Sequence, residues 1–452
     1  YESGQRKAEG FFKLIYQMSR LESLRDSTYK EWFPNGNLSQ KGEYYYGVKN
    51  GVWTSYFPEG DKWRVIKYEN GKGYPVDGWN KDREQALKAG QGVIYDYYEH
   101  GPLKSKIAVK DSFYHGMAEY YYSNGRLESE GSLVDAQKNG LWKYYFEDGE
   151  KRKHIEYLKG KLDGVIKTWY VNGKMNVEGR YKDGLKEGEW FWYTEEGELE
   201  MKGSFNESKQ HGKWTYYFDN GQIESTGEFE MDQREGEWKM YYKNGAKWKV
   251  GSYHNDKKEG HWQTFFEDGQ LLQEGDFLAG KENGLWKAWY QNGQLKDEGS
   301  YDKGIMDGMW VGFFDNGKLN YQGEQDQGKK SGTWKYGYIN GKTRETGSYK
   351  SGLKEGKWEY YFDSGNLDYS TSYSNGSKDG KSVYYYPHGS KMREETYDMD
   401  RITGKSKMWN KTGTLISVRN YKNGVPNGKA INYDDKGNAL NVMTYKNRIR
   451  VD

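Results

Sequence analysis

The chain has 452 residues, with 60 Gly, 44 Tyr, 18 Trp and 16 Phe but only 6 Pro and no Cys. Basic and acidic side chains nearly balance, 69 against 67, which leaves no broad cationic field for a nucleic-acid backbone. A hydrophobic fraction of 34% excludes a thick apolar core, 17% aromatics exclude a disordered chain, and the missing Cys excludes disulfides, thiolate metal sites and cysteine nucleophiles. No apolar run approaches the roughly 18–20 residues of a membrane span. The first residue is Tyr1 rather than Met, which favours an exported chain over a cytoplasmic one.

Residues 1–26 stand apart. Phe11, Leu14, Met18, Leu21 and Leu24 recur at steps of three and four, the spacing of an amphipathic helix. Such a helix would cap the open edge of the first hairpin. Residues 27–91 hold two divergent repeats, marked by Gly36 and Gly42 and by Gly51, Trp53 and Gly60. The second carries an insertion near 71–89 that breaks the pattern and brings Tyr74, Pro75 and Trp79.

From residue 92 to 452 a glycine falls every 24 residues, from Gly92 to Gly428, in fifteen in-register units. With that glycine as position 0, position 9 is also always Gly, position 2 is Trp in nine units and position 15 is Gly in nine. Position 17 is usually Tyr or Phe. Each unit reads as a β-hairpin. In one, Gly188, Trp190, Gly197 and Gly203 hold positions 0, 2, 9 and 15; in the next, Gly212, Trp214, Gly221 and Gly227 do. Asn220-Gly221 suits a two-residue type I′ turn. That turn pairs position 2 with 15 and 0 with 17, so Trp214 would cover Gly227 across its own hairpin, and position 6 would meet 11. Pro34, Pro58 and Pro387 fall at position 7, where a strand enters its turn. The fold expected is all-β: an elongated array of about 17 hairpins in a long twisted antiparallel meander, with a short N-terminal helix. About 34 strands at ~4.8 Å would extend ~160 Å if unbroken.

The pattern Gly-x-Trp-x-x-Tyr-aromatic-x-Asn-Gly…Glu-Gly-x-Tyr-x-x-Gly, clear in GEWFWYTEEGELEMKGSF (188–205), resembles the bacterial variant of the MORN repeat, carried by proteins labelled antitoxin-like. The resemblance covers about 360 residues strongly, from Gly92 onward. It implies an elongated β-hairpin array and a non-catalytic role in contact with proteins or membrane surfaces. A second resemblance, to aromatic cell-wall-binding repeats, rests on Trp-Tyr-Tyr beside Gly.

Nothing in the chain points to catalysis. The seven histidines are scattered and show no zinc spacing. Glu130, Glu178, Glu274 and Glu298 recur at position 14, as residues of a solvated face do, whereas a catalytic acid pair needs two unlike environments. No nucleophile elbow or phosphate loop occurs. No catalytic residue, metal site or cofactor is therefore assigned. The function expected is a non-catalytic scaffold for protein–protein interaction, a subunit of a bacterial envelope-associated complex in the periplasm or at the cell surface. The alternatives are glycan or cell-wall binding, and an antitoxin-type or membrane-surface module. Contact should fall where the repeat breaks, at Tyr74, Trp79, Phe11 and Met18, or on the position-5 column of Tyr217 and Tyr241.

Overall fold

The computed structural model of the chain describes residues 4–17, 20–99 and 101–452. They are all-β, with 38 strands in antiparallel sheet and no helix among them. Among the described residues no helix is long and apolar enough to cross a membrane. The chain divides into two compact units, residues 1–221 with 230–232, and residues 222–229 with 233–452. In the first unit each strand from Ala8–Gln17 to Lys209–Tyr217 pairs antiparallel with the next. In the second the same holds from Gln233–Tyr241 to Ile449–Arg450.

The strands exceed the expected number because Ala8–Gln17, Lys72–Trp79, Gln85–Lys88 and Ile449–Arg450 join the sheet. The N-terminal helix is absent. Residues 8–17 form a strand on Arg20–Trp32, with Gly10 opposite Tyr29 and a bulge before Phe11. An isolated helix of this length is marginal in water. The run Phe11-Phe12-Lys13-Leu14-Ile15-Tyr16 also has the aromatic and β-branched content of a strand.

The insertion is a hairpin and no free loop. Pro75 and Leu87 are among the most deeply buried side chains of the chain. Leu87 packs in one cluster with Ile94 and Val109. Pro75 is accommodated because the register shifts beside it: Val65 pairs with Asp77 and Ile66 with Pro75. The hairpin is tied down by Arg83, which bonds Glu59 at 2.7 Å and Asp61 at 2.9 Å.

The turn at positions 8 and 9, Asn220-Gly221 in one unit and Glu196-Gly197 in the unit before it, differs from the expected type. Gly197 N–H donates to Thr194 C=O and Thr194 N–H to Glu198 C=O, which encloses the three residues 195–197. This is a type I turn closed by a glycine in the left-handed region, with φ +87° at Gly197. Position 6 therefore meets 10, and not 11. A one-residue bulge then restores the expected register: Tyr193 pairs with Leu199, but Trp192 with Met201, Trp190 with Gly203 and Gly188 with Phe205. The two-residue turns with positive φ at both residues lie at the other end of the unit, as at Asp183-Gly184 (49° and 90°). The position-0 glycine also has positive φ, 65° at Gly188, where two extra residues enter the strand opposite the preceding hairpin.

That bulge decides where the tryptophans go. The ring over Gly203 belongs to Trp214, so position 2 covers position 15 of the preceding unit. Likewise Gly131 lies under Trp142, Gly227 under Trp238 and Gly347 under Trp358; a Cβ on any of them would overlap the indole. Gly227 thus lies under Trp238 and not, as expected, under Trp214. In each compact unit the core of the sheet is a row of such rings, with Trp142 fully buried in the first unit and Trp358 in the second.

Candidate functional site

The recurring polar atoms turn out to connect one unit to the next. Trp214 Nε1 donates to Ser204 C=O at 3.1 Å and Trp358 Nε1 to Ser348 C=O at 3.0 Å. The Trp190 indole N–H departs from this and is buried without a hydrogen-bond partner. At position 6, Tyr170 OH donates to Tyr193 C=O at 2.8 Å and Tyr338 OH to Tyr361 C=O at 2.7 Å. At position 8, Asn172 Nδ2 donates to Glu195 C=O at 2.8 Å while its Oδ1 accepts from Lys174 N–H. Asparagine is therefore selected here as a rung between turns, and no positive φ is required of it.

The opposite face is polar. Glu130 accepts from Lys143 at 3.2 Å and from Tyr145 OH at 2.9 Å; Glu178 pairs with Lys167 at 2.8 Å. Burial and the hydrogen bond to Glu130 push the Tyr145 hydroxyl up to about 12. His254 is held above its ordinary value by its hydrogen bond to Glu235, 2.8 Å away. Burial lowers His154, which meets Trp169 edge-on at 4.7 Å. His261 lies between Asp276 (2.9 Å) and Glu274 (3.4 Å). His100 lies outside the described residues. Among the described residues no cluster of three or more potential metal ligands exists.

The expected contact residues are spread over several strands. Phe11 is 65% exposed on Ala8–Gln17, beside Phe12 at 60% and Leu14 at 63%. Met18 lies outside the described residues. Tyr74 and Trp79 are half-buried on Lys72–Trp79, where Tyr74 meets Phe113 edge-on at 5.5 Å. Tyr217 is half-buried at the end of Lys209–Tyr217, and Tyr241 likewise at the end of Gln233–Tyr241 in the second unit.

Toward the C-terminus the Trp–Gly pair is exchanged for polar pairs. Thr371 and Ser382 are both buried and bond through their hydroxyls. Glu395 is 4% exposed, and accepts from Ser406 at 3.2 Å and Tyr397 at 2.9 Å. A cleft that the sequence reading did not single out lies in the second unit, lined by Met306, Trp310, Tyr321, Gln325, Lys330, Trp334 and Tyr336. Its signal was a single broken column: Gln325 holds position 17, which is Tyr or Phe in every other unit from Tyr157 to Tyr445.

Comparison with known proteins places this architecture. No curated protein matches the chain. The crystal structure of TcdB2-TccC3-Cdc42 aligns over 96% of this chain and 28% of its own, at 11% identity and a TM-score of 0.14. The Tc holotoxin pore of Photorhabdus luminescens aligns over 100% and 29%, at 11% identity and a TM-score of 0.15. The chain thus spans under a third of those structures, and at such scores the likeness carries no functional weight. The model of the MORN repeat variant matches residues 25–44, 114–135, 138–159, 162–183, 186–207, 210–231, 234–255, 258–279, 282–303, 354–375 and 378–399. Those segments fall on successive repeats and make up more than half of the sequence, and the chain belongs to the MORN repeat variant family.

Proposed function

We propose that this protein is a non-catalytic repeat scaffold that binds a protein partner, as a subunit of a bacterial envelope-associated complex. One observation carries the reading: Phe12 and Leu14, 60% and 63% exposed, share one face of the strand Ala8–Gln17, and Phe11, 65% exposed, stands on the other. Exposed apolar side chains side by side on a strand face mark interaction surfaces. The recurring Trp at position 2, Tyr at position 6 and Asn at position 8 are committed to the array, bonding to neighbouring units as at Trp214, Tyr170 and Asn172. Membership of a repeat family whose modules bind proteins or membranes supports the same reading. Specific contact then falls first to residues that do not recur, Phe11 and the Tyr74–Trp79 strand, and second to the recurring position-5 column of Tyr217 and Tyr241.

The test is cross-linking of the intact chain in its native cells, followed by reconstitution with the purified candidate. A stoichiometric protein complex weakened by Phe11→Asp supports the reading. Retention on purified envelope polysaccharide or on anionic vesicles, with no protein complex, overturns it in favour of glycan or membrane-surface binding.

A further inference from the structure

Aromatic rings at position 17 stand as wedges between successive tryptophans. Tyr301 is edge-on to Trp286 (6.2 Å, 83°) and to Trp310 (5.2 Å, 89°). Tyr349 is edge-on to Trp334 (6.1 Å, 85°) and to Trp358 (4.9 Å, 82°). Phe277 does the same between Trp262 and Trp286. Between Trp310 and Trp334 the wedge is missing, because Gln325 occupies its place. A cleft of about 200 Å³ results.

Three features suit this cleft to a ring. Its floor is flat and aromatic: Trp334 stacks on Tyr321 (6.3 Å, 23°) and on Tyr336 (5.7 Å, 25°). Gln325 lines the cleft, and its Oε1, buried and without a hydrogen-bond partner, becomes an acceptor for a ligand once the amide turns toward the opening. Lys330 forms a wall, its ammonium 4.5 Å from the Trp334 ring centre and bonded to Tyr336 OH at 2.6 Å, which disfavours a cationic ligand. The family model also passes over these units: its matches stop at residue 303 and resume at 354. The departure from the repeat and the cleft therefore coincide.

We infer that this cleft binds a phenol ring, inserted edge-on between Trp310 and Trp334 where the repeat lacks its own aromatic wedge, with the phenol hydroxyl donating to Gln325 Oε1. Apolar cavities of about 150 Å³ take up benzene, so the size is sufficient. Edge-to-face contact with two indoles is the arrangement aromatic rings prefer. The hydroxyl satisfies the orphaned amide oxygen, which a plain hydrocarbon ring leaves unpaired. The ring can come from a free small phenol or from a tyrosine side chain of a partner. Only the latter assignment rests on the scaffold reading; the site itself rests on the missing wedge.

The test uses the full chain and ligand-observed NMR titration with p-cresol, toluene and N-acetyl-tyrosinamide. Wild type should bind p-cresol saturably and about tenfold more tightly than toluene. Gln325→Tyr restores the residue found in neighbouring units. It should melt no lower than wild type and lose p-cresol binding. Gln325→Leu removes the amide oxygen at similar side-chain size and should abolish the preference for p-cresol over toluene. Tyrosinamide binding as tight as p-cresol assigns the site to a partner's side chain; p-cresol binding alone assigns it to a small phenol and leaves the scaffold reading untouched. Absence of p-cresol binding to wild type, or equal binding to a folded Gln325→Tyr, overturns the site.

Discussion

At the scale of single residues, the indole of Trp214 rests on the bare backbone of Gly203, one unit back. Any Cβ at that glycine must displace the ring, and overpacking of this kind costs about 1–3 kcal/mol. The chain contains its own alternative, the buried Thr371–Ser382 pair in the equivalent places. Gly203→Thr should therefore lower thermal stability, and adding Trp214→Ser should recover part of the loss, with a coupling of about 0.5–3 kcal/mol. Adding Trp190→Ser instead, the strand partner of Gly203 across its own hairpin, should give no recovery. Equal rescue by both tryptophans would contradict the packing between units.

At the scale of elements, the 71–89 insertion contributes core. Leu87 is fully buried against Ile94, and Leu87→Ala should cost about 2–5 kcal/mol. Replacing residues 73–88 with a Gly-Ser linker should do more. It removes the strand Lys72–Trp79 from Lys62–Glu69, and Leu87 from its pairing with Gly92. The expectation is faster hydrogen exchange over both flanking strands and a lower melting temperature. A linker variant as stable as wild type would show that the hairpin is an appendage.

At the scale of the whole molecule, half-buried tyrosines line the tryptophan core and set an alkaline limit. Burial first, with neighbouring hydroxyls and carboxylates next, pushes Tyr157, Tyr321 and Tyr369 from 10.0 up to about 12. Tyr361 reaches about 12 through burial and its bond to Glu359. In the unfolded chain these groups lose their protons near 10; in the folded chain they hold them to about 12. Between those values the unfolded state binds fewer protons, so stability falls as pH rises. Melting temperature should stay level up to about pH 9 and then drop steeply. The phenolate absorbance of the buried tyrosines should rise late, together with unfolding; complete tyrosine titration near pH 10 in a chain that is still folded would contradict this burial. Because strands contact mainly their neighbours, residues 222–452 should also fold alone, with a cooperative melt and the β signature in circular dichroism. A disordered fragment would mean that the second unit depends on the first.

The 24-residue period, the hairpin unit and the pairing of positions 2 with 15 and 0 with 17 were legible in the sequence, since turn glycines and alternating apolar residues are local signals. The partnership between units was also present, as an offset: Trp142 shares its own hairpin with Ile155 but follows Gly131, and Trp358 shares with Thr371 but follows Gly347. Read within one hairpin, the Trp–Gly match fails at these places; read one unit back, it holds. The type of turn at Asn-Gly was misread because asparagine there answers to the neighbouring turn, a contact between residues about 23 apart in sequence. The N-terminal strand was misread because a three-and-four spacing is a property of the segment alone, whereas pairing with Arg20–Trp32 fulfils its backbone hydrogen bonds from outside it. By itself, then, the sequence determined the repeat, its glycines and its β character, all set by backbone conformation within a few residues. Which ring covers which glycine, that the insertion is core, and that Gln325 opens a cleft were decided only in the tertiary structure, because each depends on side chains brought together from neighbouring units.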